Sequence, residues 1–323
     1  MSHRSAPGVH ASAPPRSQRR FSLPSGLRRR FRRNWQLYLL LLPALVYFLV
    51  FHYYPMYGLQ IAFKNYVASE GIWGSPWVGL DYFGRFFRSF QFERLIVNTL
   101  LINVLQLALF PVSIIVALSI NELRDGPFKR FTQTVTYAPH FISTVIMVGI
   151  LLTFLHPVTG VINIIIGAVG GQPIAFMTEP GWFRQVFVLS SEWQNLGWGA
   201  IIYLAALAAV DPQLHEAAIT DGASRLQRIW HINLPSILPT IVILLILQMG
   251  NFMAVGFEKV YLMQNPLNLS ASEVIQTYVY KAGLLQAQYS FSTAVGLFNS
   301  VVNLIILVVF NRLAKRISGT GLW

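Results

Sequence analysis

Six apolar stretches, at residues 35–54, 95–120, 135–155, 187–210, 237–256 and 293–310, each have about the 20 residues that a helix needs to cross a lipid hydrocarbon core. No other feature restricts the fold as strongly. In lipid every backbone N–H and C=O must be satisfied within the protein, so a spanning chain is a helix or a closed barrel, and runs this long and continuous belong to helices. The first stretch carries only Gln36 and His52 as strongly polar residues, both near its ends. The fourth includes Glu192, Gln194 and Asn195 close to its start. Its apolar part therefore starts near Leu196, and short interrupted helices at bilayer depth line cavities. Overall, 54% of residues are hydrophobic and 11% charged, against roughly 25% charged in soluble domains. The expected fold class is an all-α integral membrane protein with six transmembrane helices and both termini on one side. The absence of cysteine excludes a disulfide framework, a thiolate metal site and a cysteine nucleophile.

The charges set the orientation. The chain has a formal net charge of +12. Its first 33 residues hold nine arginines and no acid, with Pro7, Pro14, Pro15 and Pro24 interrupting them, the composition of a disordered basic arm. No small-x-small cleavage site follows, so the first apolar stretch reads as a retained helix and not as a secretory signal. Alternate connections divide the cations unequally. The arm, Arg124, Lys129, Arg130, Arg225, Arg228, Arg312, Lys315 and Arg316 lie on one side, whereas Lys64, Arg85, Arg88, Arg94, Arg184, Lys259 and Lys281 lie on the other, matched there by seven acids. The positive-inside rule makes the first side, with both termini, cytoplasmic. The positive charge is then a topology signal, and nucleic acid is not an expected partner. The chain divides into a basic arm (1–34), a transmembrane domain (35–316) with a cytoplasmic loop at 211–235, and a tail (317–323). The outer connection 54–92, with Gly58, Gly71, Gly74, Gly79, Trp73 and Trp77, suits a membrane interface or the docking of an external partner.

The loop at 211–235 has its own architecture. Asp211 followed by Pro212 is a helix N-cap with proline at the first helical position. Leu214, His215, Ala217 and Ala218 give a small-residue face, Gln213 and Glu216 a polar one, and Gly222 permits the positive φ that ends the helix. Leu226, Ile229 and Trp230 then form an apolar stripe at i, i+3, i+4, and Leu234-Pro235 is expected to end this second piece before the fifth span. Small residues on a short exposed helix let another protein approach closely.

Glu216-Ala217-Ala218, three residues, Gly222, nine residues, Ile232, one residue and Leu234-Pro235 resemble the EAA loop of the permease subunits of binding-protein-dependent ABC importers. The resemblance implies a type I importer permease fold in the bacterial inner membrane, with the loop acting as a coupling helix in a cleft of an ATPase subunit. Carried over by position, Glu216 pairs with a basic group of the ATPase, Ala217 and Ala218 allow close packing, and Asp221 with Gly222 makes the turn. The partners it implies are a homologous second permease subunit, two ATPase subunits and a periplasmic solute-binding protein. Leu42-Pro43-Ala44, Phe51-His52-Tyr53-Tyr54-Pro55, Ala62-Phe63-Lys64-Asn65-Tyr66, Gly79-Leu80-Asp81-Tyr82-Phe83, Asn98-Thr99-Leu100 and Tyr137-Ala138-Pro139 are similar to the carbohydrate branch. Within that branch the chain looks most like maltose-permease-like subunits that import oligo- or polysaccharides, and its overall likeness is to alginate importers. Amino-acid or peptide import is the alternative within the superfamily, and an ion-coupled carrier the alternative outside it.

The chemistry fits this division of labour. No Gly-Lys pair occurs, so there is no P-loop; ATP and Mg belong to the partner ATPase, and this chain is expected to hold no cofactor, no metal and no catalytic constellation. An ion-coupled carrier would show intramembrane carboxylates, and no Asp or Glu is expected mid-span. A sugar path needs amides, hydroxyls and aromatic faces, and polar residues within spans face the bundle interior. The candidates are His140, Ser143, Thr144, Gln194, Asn195, Trp198, Gln248 and Asn251, with Phe252, Asn299 and Asn303. Of these, His140, Ser143, Asn195, Trp198 and Asn251 fall near the sugar-contacting places of maltose-type permeases, although several side chains there differ. Interhelical hydrogen bonding is the other role open to them, and the one expected of Asn299 and Asn303. Glu258 and Lys259 read as a solvated pair at the outer rim, with gating of the cavity or steering of an anionic sugar as the other role open to them, and Gly167, Gly170, Gly171 and Pro173 as an outer bend.

Overall fold

A computed structural model describes residues 33–323; the basic arm lies outside the described residues except for its last two positions. The chain divides into two compact units between Gly58 and Leu59. Among the described residues there is no strand, only an isolated bridge between Lys64 and Trp77. Four continuous helices are long and apolar enough to cross a membrane: α1 (Trp35–Phe63), α2 (Phe92–Asn121), α7 (Arg225–Met249) and α9 (Tyr289–Ser318). Two bent pairs bring the number to six. They are α3 (Pro127–Tyr137) with α4 (Thr144–Phe154), and α5 (Pro180–Ala208) with α6 (Pro212–Thr220).

The sequence-based boundaries need four corrections. Helix α1 continues to Phe63 through a π turn at Leu49–Tyr53 and a 3-10 turn at Tyr57–Phe63, so the first ten residues of the expected outer connection are helical. The third span is broken. Pro139 lies in a 3-10 turn at Ala138–Phe141, and the chain bends by 99° between α3 and α4. Helix α4 alone has 11 residues, a rise of about 16 Å, roughly half the hydrocarbon thickness. The fourth span is the reverse case: α5 is a single helix of 29 residues. Glu192, Gln194 and Asn195 thus fall within it instead of preceding it, and Glu192 stands twelve positions after Pro180. Finally, Pro235 does not end a helix. A π turn at Ile229–Asn233 precedes it and the helix runs on to Met249, so loop helix and fifth span are one element. The missing proline N–H is tolerated where local π geometry has already loosened the i→i−4 ladder. The expected end of that span, residues 250–256, is a set of turns before α8 (Phe257–Met263).

Helix α2 anchors the second unit. Ile102 belongs to an apolar cluster with Phe183, Phe187, Val260 and Val274. Leu95 joins Phe86, Met253, Ile275 and Phe291, and Ile114 and Ala117 join Ala200, Tyr203, Leu207 and Ile237. Because lipid is as apolar as leucine, such clusters stabilise the bundle through packing and not through exclusion of water. Two glycines of α5 set the closest approaches. A Cβ on Gly197 would sit 2.1 Å from the Thr136 carbonyl oxygen of α3, and one on Gly199 would sit 2.8 Å from Ser113 Oγ of α2. The backbone contact at Gly197 brings the broken third span against the middle of α5, and Gly199 lets α2 approach beside it.

Candidate functional site: a coupling loop and a polar cavity

Two constellations stand out. The first is the loop after α5. The Asp211 carboxylate accepts from the Gln213 N–H at 2.9 Å and caps α6. Helix α6 turns 74° away from α5. Its end is a Schellman-type turn: Ala223 N–H donates to Ala218 O at 2.8 Å, Gly222 N–H to Ile219 O at 3.0 Å, and Gly222 has φ +77°. A capping box between Ser224 and Gln227 starts α7 at once. The hydrogen bonds of residues 211–228 stay within the loop, while Glu216 and Ala217 are exposed and Ala218 half-buried. Leu214, Ile219, Leu226 and Trp230 are each more than half exposed. Local bonds thus define the helix–turn–helix, yet much of its apolar and small-residue surface is left uncovered. Asn233 Nδ2, 3.4 Å from Glu122 Oε1, links the start of the fifth span to the end of α2.

The second constellation lies where the break between α3 and α4 meets α5. His140 stacks on Trp198 with ring centroids 4.4 Å apart and planes 7° apart, and Phe141 packs edge-on against the same indole. Asn195 Nδ2 donates to the Ser191 carbonyl at 2.9 Å, which turns Oδ1 toward His140 Nδ1 at 3.1 Å. An acceptor there requires the proton on Nδ1. Gln194 Nε2 donates to Ile142 O at 2.7 Å and holds the break in the span in place. Ser143 Oγ accepts from the Ile146 N–H and caps α4, so its hydroxyl has a structural task.

Two cavities of about 360 Å³ each open here, sharing Gln106, Ser191 and Asn195; small-molecule sites have roughly 300–1,000 Å³. One reaches along α5 past Glu192, Tyr203 and Gln248. The other includes Thr144, Gln194, Glu258 and Lys259. Thus Thr144, Gln194, Asn195 and Gln248 line cavities, with His140 and Trp198 adjoining through Asn195. Asn251 lines neither; its N–H donates to Gln248 O in the turn after α7. Asn303 donates to Gly250 O, and its Oδ1 accepts from Met253 N–H at 3.0 Å; it is an interhelical clamp. Asn299 Oδ1 is buried without a partner.

Glu258 and Lys259 are not a solvated pair. Glu258 is exposed, but Lys259 is 7% exposed. Lys259 Nζ donates to Ser191 Oγ at 2.9 Å and stands 5.6 Å from the centre of the Phe187 ring. Burial pushes its ammonium down to about 8. The expectation of no acid mid-span also fails, since Glu192 lines a cavity midway along α5. Gln106, Ser113, Ser191 and Tyr203 were not expected to line cavities. The polarity of Gln106 within the second apolar stretch was the available signal, by the same rule that selected the others.

The profile of the family described as "Binding-protein-dependent transport system inner membrane component" matches residues 110–319. Protein LplB of Bacillus subtilis (strain 168) is 50% identical over 293 residues, covering 90% of this chain and 92% of that protein. The polygalacturonan/rhamnogalacturonan transport system permease protein YteP of the same organism is 49% identical over 288 residues, covering 89% and 90%. Among solved structures, a chain of a bacterial ABC transporter involved in the import of the acidic polysaccharide alginate superposes with a TM-score of 0.85 at 42% identity, covering 91% of this chain and 100% of that one. A chain of a bacterial alginate ABC transporter in complex with an alginate pentasaccharide-bound periplasmic protein gives the same score and identity, covering 92% and 99%.

Proposed function

The chain belongs to the family of binding-protein-dependent transport system inner membrane components, and from that premise we propose that it is a non-catalytic permease subunit of an ATP-driven importer for an acidic oligo- or polysaccharide. A loaded binding protein docks on the side bearing Trp73 and Trp77. ATP-driven closure of an ATPase dimer pulls on α6, and cargo passes the amide and aromatic groups around Asn195 and Trp198. Both termini face the cytoplasm. ATP and Mg are held by the ATPase subunits, and a homologous second permease closes the open side of the cavities.

The observation that carries this reading is the loop at 211–235. A helix capped at both ends by its own residues presents Leu214, Ala217, Ile219 and Glu216 to the exterior, a surface complete only against another protein. Helix α6 follows α5 after three residues, so a pull on it reaches Asn195 and Trp198 through one helix. The relatives named as polygalacturonan/rhamnogalacturonan and alginate transporters support an acidic saccharide as cargo. The test is a reconstituted complex with ATPase and binding protein, in which Glu216→Ala and Gly222→Val are expected to retain ATP hydrolysis but lose most saccharide uptake. If both variants transport like the wild type, the coupling role is wrong. Uptake driven by a proton gradient without the ATPase would instead favour an ion-coupled carrier, with Glu192 as its carboxylate.

A further inference from the structure

We propose that Lys259, held by Ser191 in the cavity beside α5, binds the carboxylate of an acidic sugar unit in transit and makes the permease selective for uronate-containing saccharides over neutral ones. The proposal rests on the reading of the chain as a saccharide permease and names the group that reads the charge of the cargo.

Four observations meet at this residue. Lys259 is more than nine-tenths buried, and burying an ammonium without a counter-charge is costly. Several other cations have partners within the chain. Arg94 and Lys281 share Glu273, Lys64 Nζ donates to Ile72 O at 2.6 Å, and Arg85 donates to Gln288 Oε1 at 3.0 Å. Lys259 has no carboxylate partner among the described residues. Glu258 lines the same cavity without pairing with it.

Ser191 Oγ accepts from one donor of the ammonium, which also lies over the Phe187 ring in a cation–π contact. An ammonium has three N–H donors, so two remain on a group that forms part of the cavity wall. Around them stand Gln106, Thr144 and Gln194, amides and a hydroxyl suited to sugar hydroxyls and not to charge. A neutral sugar would leave the two ammonium donors unmatched, whereas a carboxylate makes charge-assisted hydrogen bonds with both. A lysine acts here as a compact point charge without the bidentate fork of arginine, which suits a station the cargo must also leave. The placement of Ser191 and Asn195 on one turn of α5 puts this charge beside the His140–Trp198 stack, so that one sugar unit can meet charge and aromatic face together.

The experiment uses the full complex in proteoliposomes, with binding protein and ATPase. Uptake of oligogalacturonate and oligomannuronate is measured for each as the free acid and as its methyl ester, which has the same ring without the charge. The wild type is expected to prefer the acids. Lys259→Met should lower acid uptake roughly tenfold more than ester uptake, on the strength of charge-assisted bonds, and Lys259→Arg should keep most of the preference. Equal loss of acid and ester in Lys259→Met would make the residue structural and overturn the proposal, as would an unchanged preference or a wild-type preference for esters. Failure of the importer reading looks different: no saccharide would be taken up, and the loaded binding protein would not stimulate ATP hydrolysis.

Discussion

The two ends of the helical bundle solve opposite problems. Where α2, α5 and α9 begin, polar side chains join segments distant in sequence. Glu273 pairs with both Arg94 and Lys281. Asn98 donates to the carbonyls of Ser270 and Glu273 at 3.0 Å and accepts from Arg184 at 2.7 Å. Asn265 and Asn268 both donate to Met177 O. Tyr66 N–H donates to Ser290 Oγ across more than two hundred residues. At α6, by contrast, hydrogen bonds are local and the apolar side chains are exposed. One end is cross-linked by side chains far apart in sequence; the other is shaped by local bonds and leaves its apolar side chains exposed. On the proposed function, that difference suits a cross-linked scaffold joined to a mechanical handle.

The contrast can be broken most forcefully at the handle. Replacing Gly222, at φ +77°, with valine forces a β-branched residue into a left-handed turn, strain on the order of 1–3 kcal/mol. Because most of α6 is exposed and its turn fixes its direction, saccharide uptake per ATP hydrolysed should fall about tenfold or more in the assembled importer. Unchanged coupling would mean that α6 does not need its turn.

At the other end, Glu273→Ala leaves two cations without their shared carboxylate. Arg94 and Lys281 keep some solvent contact, so the expected loss is about 1–3 kcal/mol, read as a lower unfolding temperature of the purified complex. Asn98→Ala removes three hydrogen bonds from a buried position and should cost about as much or slightly less. For both, uptake per ATP should change little in the folded fraction; a large uncoupling would place transmission at this end as well.

The smallest effect is expected at Ala287, whose φ of +54° is the one positive value among described non-glycine residues. Ala287→Gly relieves it and should raise stability by about 1 kcal/mol or less. A loss of stability would show that the loop 286–288 is not strained.

The loop at 211–235 was legible because it is local. Asp211-Pro212, Gly222 and the Ser224–Gln227 spacing each fix backbone geometry through neighbours within a few residues, and the helix and turn follow. The apolar stretches likewise announced the crossings, since lipid demands length and little else. What hydropathy alone could not place was where helices break or run on. Pro139 breaks the third span while Pro235 lies inside a longer helix, and the difference is the π turn at Ile229–Asn233, which no composition rule marks. Polar Glu192 looked like a helix end because its burial and its cavity depend on α2 and α7, far away in sequence. Lys259 follows the same logic: next to Glu258 it resembles a surface pair, and only its contacts with Ser191 and Phe187 of α5 separate the two side chains.

On the proposed function, α6 and its turn await the ATPase, while the opposite end is held by its own long-range side-chain bonds. Hydrogen–deuterium exchange on the permease, first without and then with the ATPase dimer, tests it directly. The account predicts rapid exchange across residues 212–228 in the free permease and marked protection on ATPase binding, with residues 264–281 protected in both states. Protection of 212–228 that is already high without the ATPase, or that does not change when it binds, would contradict it.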